Sequence, residues 1–243
     1  DKAEKFWSAA DQHERNGMRT SSHITIALPN MLNKSQRIEL TQNLIKAFCS
    51  EFELPFSCAI HNHKATLDDG QDQPHLHLMY SERTSIDKID RPPEQFFNQY
   101  RPKNPEQGGA QKITADLLKM GRQQIMIYRR LTEKLINESL EKHAPTKVVE
   151  IHGISVVVPN RVSCLSNDDY NEQYNTHLKP VPQISRWKLR SADPVTQLDI
   201  KPCIENIKKI REENNFELYK HYYFAELNKR KEAKLENDNT FSM

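Results

Sequence analysis

The spacing of apolar positions changes several times along the chain, and each change predicts an element. Over residues 3–16, Phe6, Trp7 and Ala10 recur at helical spacing among charges, and Gly17 follows as a stop, which predicts an amphipathic helix. Over residues 22–28 the period falls to two. Ile24, Ile26 and Leu28 share one face, His23, Thr25 and Ala27 the other, and Pro29 ends the strand. A second helix, capped by Ser35, is expected to bury Ile38, Thr41, Ile45, Phe48 and Phe52. Residues 56–63 and 75–83 alternate again and predict two strands, joined by a polar connection over residues 64–73 that contains Gly70.

The pattern then becomes irregular. Arg91-Pro92-Pro93 opens a short helix through Phe96 and Phe97, and residues 102–109 read as a surface loop over a site. A long helix is expected over residues 114–142, with Leu118, Ile125, Tyr128, Leu131 and Leu135 on its buried side and Pro145 beyond its end. Residues 148–159 predict a strand pair or one bent strand, residues 193–202 irregular chain, and residues 205–236 a highly charged helix.

On the strand at residues 75–83, alternation puts His75, His77 and Met79 on one face and Leu76, Leu78 and Tyr80 in the core. On the preceding strand Cys58 and Ile60 take the core side, so Ala59, His61 and His63 share the open face. If the two strands are antiparallel neighbours, three imidazoles converge. Three neutral imidazoles suit Mn, Zn, Ni, Cu or Fe and leave positions open for water or a phosphate oxygen. Magnesium is less natural with nitrogen donors, but oxygen ligands from phosphate and water would complete its shell. His63 reads as a replacement ligand, a supporting group or a loop residue.

Composition narrows the class. The balance of 35 basic and 33 acidic side chains gives no global field, so any basic groove must be local. Cys49, Cys58, Cys164 and Cys203 form no CxxC pair, which argues against a zinc ribbon and for buried, reduced thiols in a cytoplasmic protein. No apolar run is long enough for a membrane span, so no membrane insertion is expected.

Three stretches together resemble the MobA/MobL family of plasmid-mobilisation relaxases, a branch of the HUH endonucleases. They are WSAADQHER from Trp7 with Ala27-Leu28-Pro29; Ala59-Ile60-His61 with Pro74-His75-Leu76-His77-Leu78-Met79-Tyr80-Ser81-Glu82-Arg83; and Arg91-Pro92 with Gly108-Gly109-Ala110-Gln111-Lys112. Asn137 and Leu140 extend the likeness, with Thr132 where a Trp is usual, so that it covers roughly residues 3–143.

The resemblance implies an α+β fold, an antiparallel sheet flanked by helices, over residues 1–144; beyond it the residue pattern reads as a mixed or mainly helical extension over residues 145–243, DNA-binding or accessory in role. The resemblance also implies a divalent ion, Mn²⁺ or Mg²⁺ ahead of Zn²⁺ or Ni²⁺, held by His61, His75 and His77 against a phosphate of single-stranded DNA at a transfer origin. Its chemistry would be nicking through a 5′-phosphotyrosyl intermediate, and its partners would be accessory mobilisation proteins and a conjugative coupling protein. The alternatives are a relaxase-derived protein that binds single-stranded DNA without cutting it, a rolling-circle replication initiator, and a metal-dependent hydrolase using water.

Two departures stand out. The family's nucleophilic Tyr lies ahead of the W-x-x-A helix, whereas the first tyrosine here is Tyr80, so the nucleophile and a first strand are expected upstream of Asp1. Relatives can also carry acidic residues where this chain has His23 and Thr25. Those two residues, with His63, Glu14 and Glu82, are the candidates to support the ligands. Arg83, Lys88, Arg91, Tyr100, Arg101, Lys103 and Lys112, interleaved with Phe96 and Phe97, are the candidate DNA contacts.

Overall fold

The computed structural model describes residues 1–65, 67, 70–114 and 118–240, with the backbone alone for 235–240. Parts of the expected connection at residues 64–73 and of the expected helix start after residue 114 lie outside the described residues. The chain divides into two compact units, Asp1–Ala65 with Gln71–His143, and the residues from Ala144 onward.

In the first unit α1 (Lys2–His13) is capped by the Asp1 side chain, and β1 (Ser22–Ala27) follows. Next comes α2 (Lys34–Cys49), whose cap is Asn33 rather than Ser35. Asn33 accepts from the Gln36 amide while the Gln36 side chain accepts from the Asn33 amide, which satisfies two end donors at once. The buried row of α2 is Leu40, Thr41, Leu44, Phe48 and Cys49, and Ile38 is exposed.

β2 (Phe56–Lys64) and β3 (Asp72–Tyr80) complete an antiparallel sheet of order β1-β3-β2. β3 thus lies in the middle. Leu76, Leu78 and Tyr80 are buried on one face, with Ile26 and Leu28 from the β1 side. On edge strand β2 the same face is not covered: Cys58 is exposed and Ile60 is 39% exposed, contrary to the core positions that alternation assigned them. Only Cys49 of the four cysteines is fully buried, and none is in a disulfide.

α2 packs beside α4 (Gln123–His143), with Phe48 edge-on to Tyr128 at 4.8 Å. α4 starts later than its apolar spacing suggests, because Lys119 and Gly121 adopt positive φ just before it. Its buried residues are Ile136 and Leu140, while Ile125 is exposed. α1 packs against the short α3 (Pro93–Phe96), and Phe96 and Phe97 are core residues there with Ala9, Ala10 and Ala110.

The second unit opens with the antiparallel hairpin β4 (Thr146–Ile151) and β5 (Ile154–Pro159). Its two-residue turn, His152-Gly153, has positive φ at both positions, the conformation that matches strand twist. Ile151, Val156 and Val158 pack against Phe216, Tyr219 and Tyr223 of α7 (Pro194–Thr240). α7 begins at Pro194, where irregular chain was expected. Asp193 accepts from the Thr196 amide at 2.9 Å, and proline is well suited to the first helical position. α5 (Asn167–Tyr174) and α6 (Arg186–Arg190) lie between hairpin and long helix. No described helix is long and apolar enough to cross a membrane.

Candidate metal centre

The register of the sheet places the histidines. His61 pairs with His75, Ala59 with His77, and Thr25 with His77 across the other edge of β3. Paired residues project to the same face, so the side opposite Leu76 and Leu78 carries His61, His63, His75, His77, His23 and Thr25. Trp7 of α1 donates its indole N–H to Ser57 Oγ at 2.9 Å, which puts α1 on this face at its Ser57 end. The histidine end stays open.

Ligand atoms of His61, His75 and His77 all lie within 4.8 Å of one another. The rings meet at centroid distances of 4.9 Å for His61–His77, 4.9 Å for His75–His77 and 5.8 Å for His61–His75. His75 Nδ1 lies 2.9 Å from the Gln73 carbonyl oxygen. A carbonyl only accepts, so Nδ1 carries the proton and Nε2 keeps its lone pair. This backbone partner has no side-chain signature and could not be read from sequence.

His77 Nδ1 lies 3.2 Å from His23 Nε2 and 3.4 Å from Thr25 Oγ1. Partial burial, then the neighbouring imidazoles His61, His75, His23 and His63, hold its pKa below the ordinary histidine value, which favours the neutral ring that ligates. His63 stacks obliquely on His75 at 5.0 Å, on the outer side of the trio.

Glu14 and Glu82 serve elsewhere. Glu14 forms a buried two-pronged pair with Arg83, at 2.8 and 2.9 Å, and stands 3.5 Å from Lys112 Nζ. Glu82 accepts from Ser22 at 2.7 Å and pairs with Arg19 at 2.9 Å.

Several proposed DNA contacts are also structural. Arg83 donates to the carbonyls of Asn98 and Ala110 as well as to Glu14. Arg91, equally buried, grips Asp87 and donates to the carbonyls of Pro105 and Gly108. Lys112 lies against Glu14 and the Arg19 carbonyl, and exposed Lys88 pairs with Glu53. These cations are committed within the protein. Arg101 and Lys103 remain exposed, and Tyr100 is half-buried beside Gly109.

Tyr80 and Tyr128 offer no nucleophile at this face. Tyr80 is buried on the opposite face, and burial followed by Tyr128 pushes its hydroxyl pKa well up. Tyr128 is hydrogen-bonded to Tyr80 and accepts from Gln124.

Comparison with known proteins identifies the family. The model of the MobA/MobL family matches residues 1–154. A 43 kDa relaxation protein of Salmonella typhimurium is 41% identical over 105 residues, 43% of this chain and 28% of that protein. Mobilization protein A of Escherichia coli is 41% identical over 118 residues, 45% of this chain and 14% of that protein. The matched stretch thus spans less than a third of either relative. The family match covers more than half of this chain and takes in the whole histidine-bearing sheet, and the chain belongs to the MobA/MobL family.

Proposed function

We propose that this chain is the DNA-processing domain of a mobilisation relaxase, a metal-dependent nicking transesterase acting on one strand at a plasmid transfer origin. The observation that carries this reading is the convergence of His61, His75 and His77 on the uncovered face of the sheet. The names of the two relatives, a relaxation protein and a mobilization protein, support it.

Three nitrogen donors without a carboxylate fit a divalent ion that keeps open positions; the family resemblance puts Mn²⁺ or Mg²⁺ first, of which Mn²⁺ accepts imidazole more readily, while by donor type Zn²⁺ or Ni²⁺ also suit the trio. Such an ion, when bound, supplies charge neutralisation at a phosphoryl oxygen. The protein's own contribution is placement. The Gln73 carbonyl fixes the His75 tautomer, His23 and Thr25 contact the rear nitrogen of His77, and exposed Arg101 and Lys103 offer charge to phosphates.

In the nicking step a tyrosyl oxygen forms a bond to phosphorus and the bond to the 3′-oxygen breaks, leaving a 5′-phosphotyrosyl link and a free 3′-hydroxyl. With Tyr80 and Tyr128 directed to the opposite face, that tyrosine is to be supplied by sequence other than these two residues. Accessory mobilisation proteins and a coupling protein are the proposed partners.

The test is calorimetry of Mn²⁺ binding to the chain and to His61→Ala, His75→Ala and His77→Ala, repeated with a single-stranded oligonucleotide spanning a transfer origin. Uptake by the wild type and its loss in each variant is the expected result. Absence of uptake by the wild type would remove the metal-dependent reading.

A further inference from the structure

We infer that the second unit carries its own single-stranded nucleic-acid contact, centred on Trp187 and flanked by the guanidinium groups of Arg186 and Arg190. This site lies outside the family match and does not depend on the histidines binding metal. Three observations carry it.

The first is exposure. Trp187 is 65% exposed, an unusual state for the largest apolar side chain, which ordinarily hides most of its ring. An exposed indole offers a flat π surface on which any unpaired base can stack, regardless of sequence.

The second is charge. From residue 173 to residue 192 the chain contains Lys179, Arg186, Lys188 and Arg190 and no Asp or Glu, although acids and bases are nearly balanced overall. Lys179 pairs with Glu213, and Lys188 with Asp199 at 3.5 Å. Arg186 and Arg190 are exposed, and no ion pair of either is recorded among the described residues. On α6 they stand four residues apart, and Arg190 is three residues from Trp187, which is neighbour spacing on a helix surface. Two uncompensated guanidiniums beside an open indole match the alternation of phosphate and base along a single strand.

The third is fixation. The Gln197 side chain donates to the carbonyls of Lys188 at 3.2 Å and Ser191 at 2.7 Å, which ties the end of α6 to α7. Lys188 Nζ sits 5.7 Å from the Trp187 ring centre. The indole therefore stands on an anchored corner, so less ordering has to accompany binding. Exposed Val195 and Leu198 on the first turns of α7 are apolar surface that a protein partner would use instead. The uncompensated charge favours the polyanion.

The test measures binding of a fluorescently labelled oligo-dT to the 243-residue chain in EDTA, with an equal-length duplex as comparison. Trp187→Ala is expected to weaken oligo-dT binding about tenfold and Trp187→Phe to retain most of it, since stacking needs a ring rather than an indole. Arg186→Gln with Arg190→Gln is expected to lower the slope of log affinity against log salt by about 1. Duplex binding should not respond to Trp187→Ala. These variants lie on the surface, and melting curves matching the wild type would establish that they fold. Unchanged oligo-dT affinity and salt slope in all three would overturn the inference, as would equal losses for duplex. Because EDTA is present throughout, failure of the histidine site leaves this result readable.

Discussion

His23 Nε2 lies 3.2 Å from His77 Nδ1, and the two rings are stacked within 6° of parallel at 5.2 Å. Two ring nitrogens hydrogen-bond only when one carries the proton. The arrangement that leaves His77 Nε2 free to ligate has His77 Nδ1–H donating to an unprotonated His23 Nε2. His23 then holds the His77 tautomer and ring plane, as the Gln73 carbonyl does for His75. Replacing such a partner ordinarily costs 10- to 100-fold in metal affinity. His23→Ala should therefore lower Mn²⁺ affinity by at least about tenfold, and His23→Gln, which keeps an acceptor, should recover part of it. Equal calorimetric affinities for wild type and His23→Ala would show that the stacking is incidental.

The donor set also predicts the order of Mn²⁺ and Mg²⁺. Imidazole nitrogens rank Mn²⁺ above the harder Mg²⁺, and no carboxylate stands within the trio to shift the balance. Mn²⁺ should bind the isolated chain at least about tenfold more tightly than Mg²⁺ and displace it in competition calorimetry. Comparable affinities would mean that oxygen ligands outside this trio dominate the site.

How far the site was legible depended on what each residue is paired with. Period-two alternation suffices for His61, His75 and His77, because strand pairing converts alternation directly into a shared face. It misleads for Cys58 and Ile60, whose side of β2 faces the helical layer but is not covered by it. A basic side chain near a site reads as a phosphate contact from sequence. Burial turns Arg83 and Arg91 into clamps, because a buried guanidinium needs partners for its N–H groups and finds them in Glu14, Asp87 and loop carbonyls. Asp87 is only four residues before Arg91, but Glu14 lies 69 positions from Arg83 and the Gly108 carbonyl 17 from Arg91, so no local pattern reveals those partners. The helix starts at Asn33 and Pro194 depended on which of several polar residues near each start took the cap.

Gly109 is required for a close approach rather than for a flexible loop. A Cβ built on it would stand 2.0 Å from the Asn98 carbonyl oxygen and 2.6 Å from its carbon, backbone atoms that cannot swing aside. The Gly109 amide meanwhile donates to the Gln99 carbonyl at 3.0 Å. Gly109→Ala should thus force residues 98 and 109 apart and disturb the Arg83 contacts to Asn98 and Ala110. A loss of at least about 2 kcal/mol in denaturant unfolding is expected, within the range for a severe core clash. A variant as stable as the wild type would show that this loop adjusts freely.

The Glu14–Arg83 pair sets an acid limit on the first unit. Both side chains are almost fully buried, at 3% and 6% exposure. Desolvation alone would raise the Glu14 pKa, but the hydrogen bonds and charge of Arg83, with Lys112 and the Arg15 amide, outweigh it and hold the pKa below the ordinary value of 4.5. A carboxylate whose folded pKa is depressed adds stability that is fully present above its unfolded pKa and disappears as pH falls through the folded value. Removing one member of a buried pair leaves the other uncompensated, at a cost of about 3 kcal/mol. Glu14→Gln should therefore lower the melting temperature at pH 7 by several degrees. The gap to the wild type should stay constant down to about pH 4.5 and narrow below it, because the unfolded carboxylate takes up its proton before the native one does. A gap that stays constant down to pH 3, or that closes already near neutrality, would show that the charge on Glu14 is not what holds α1 to the loop.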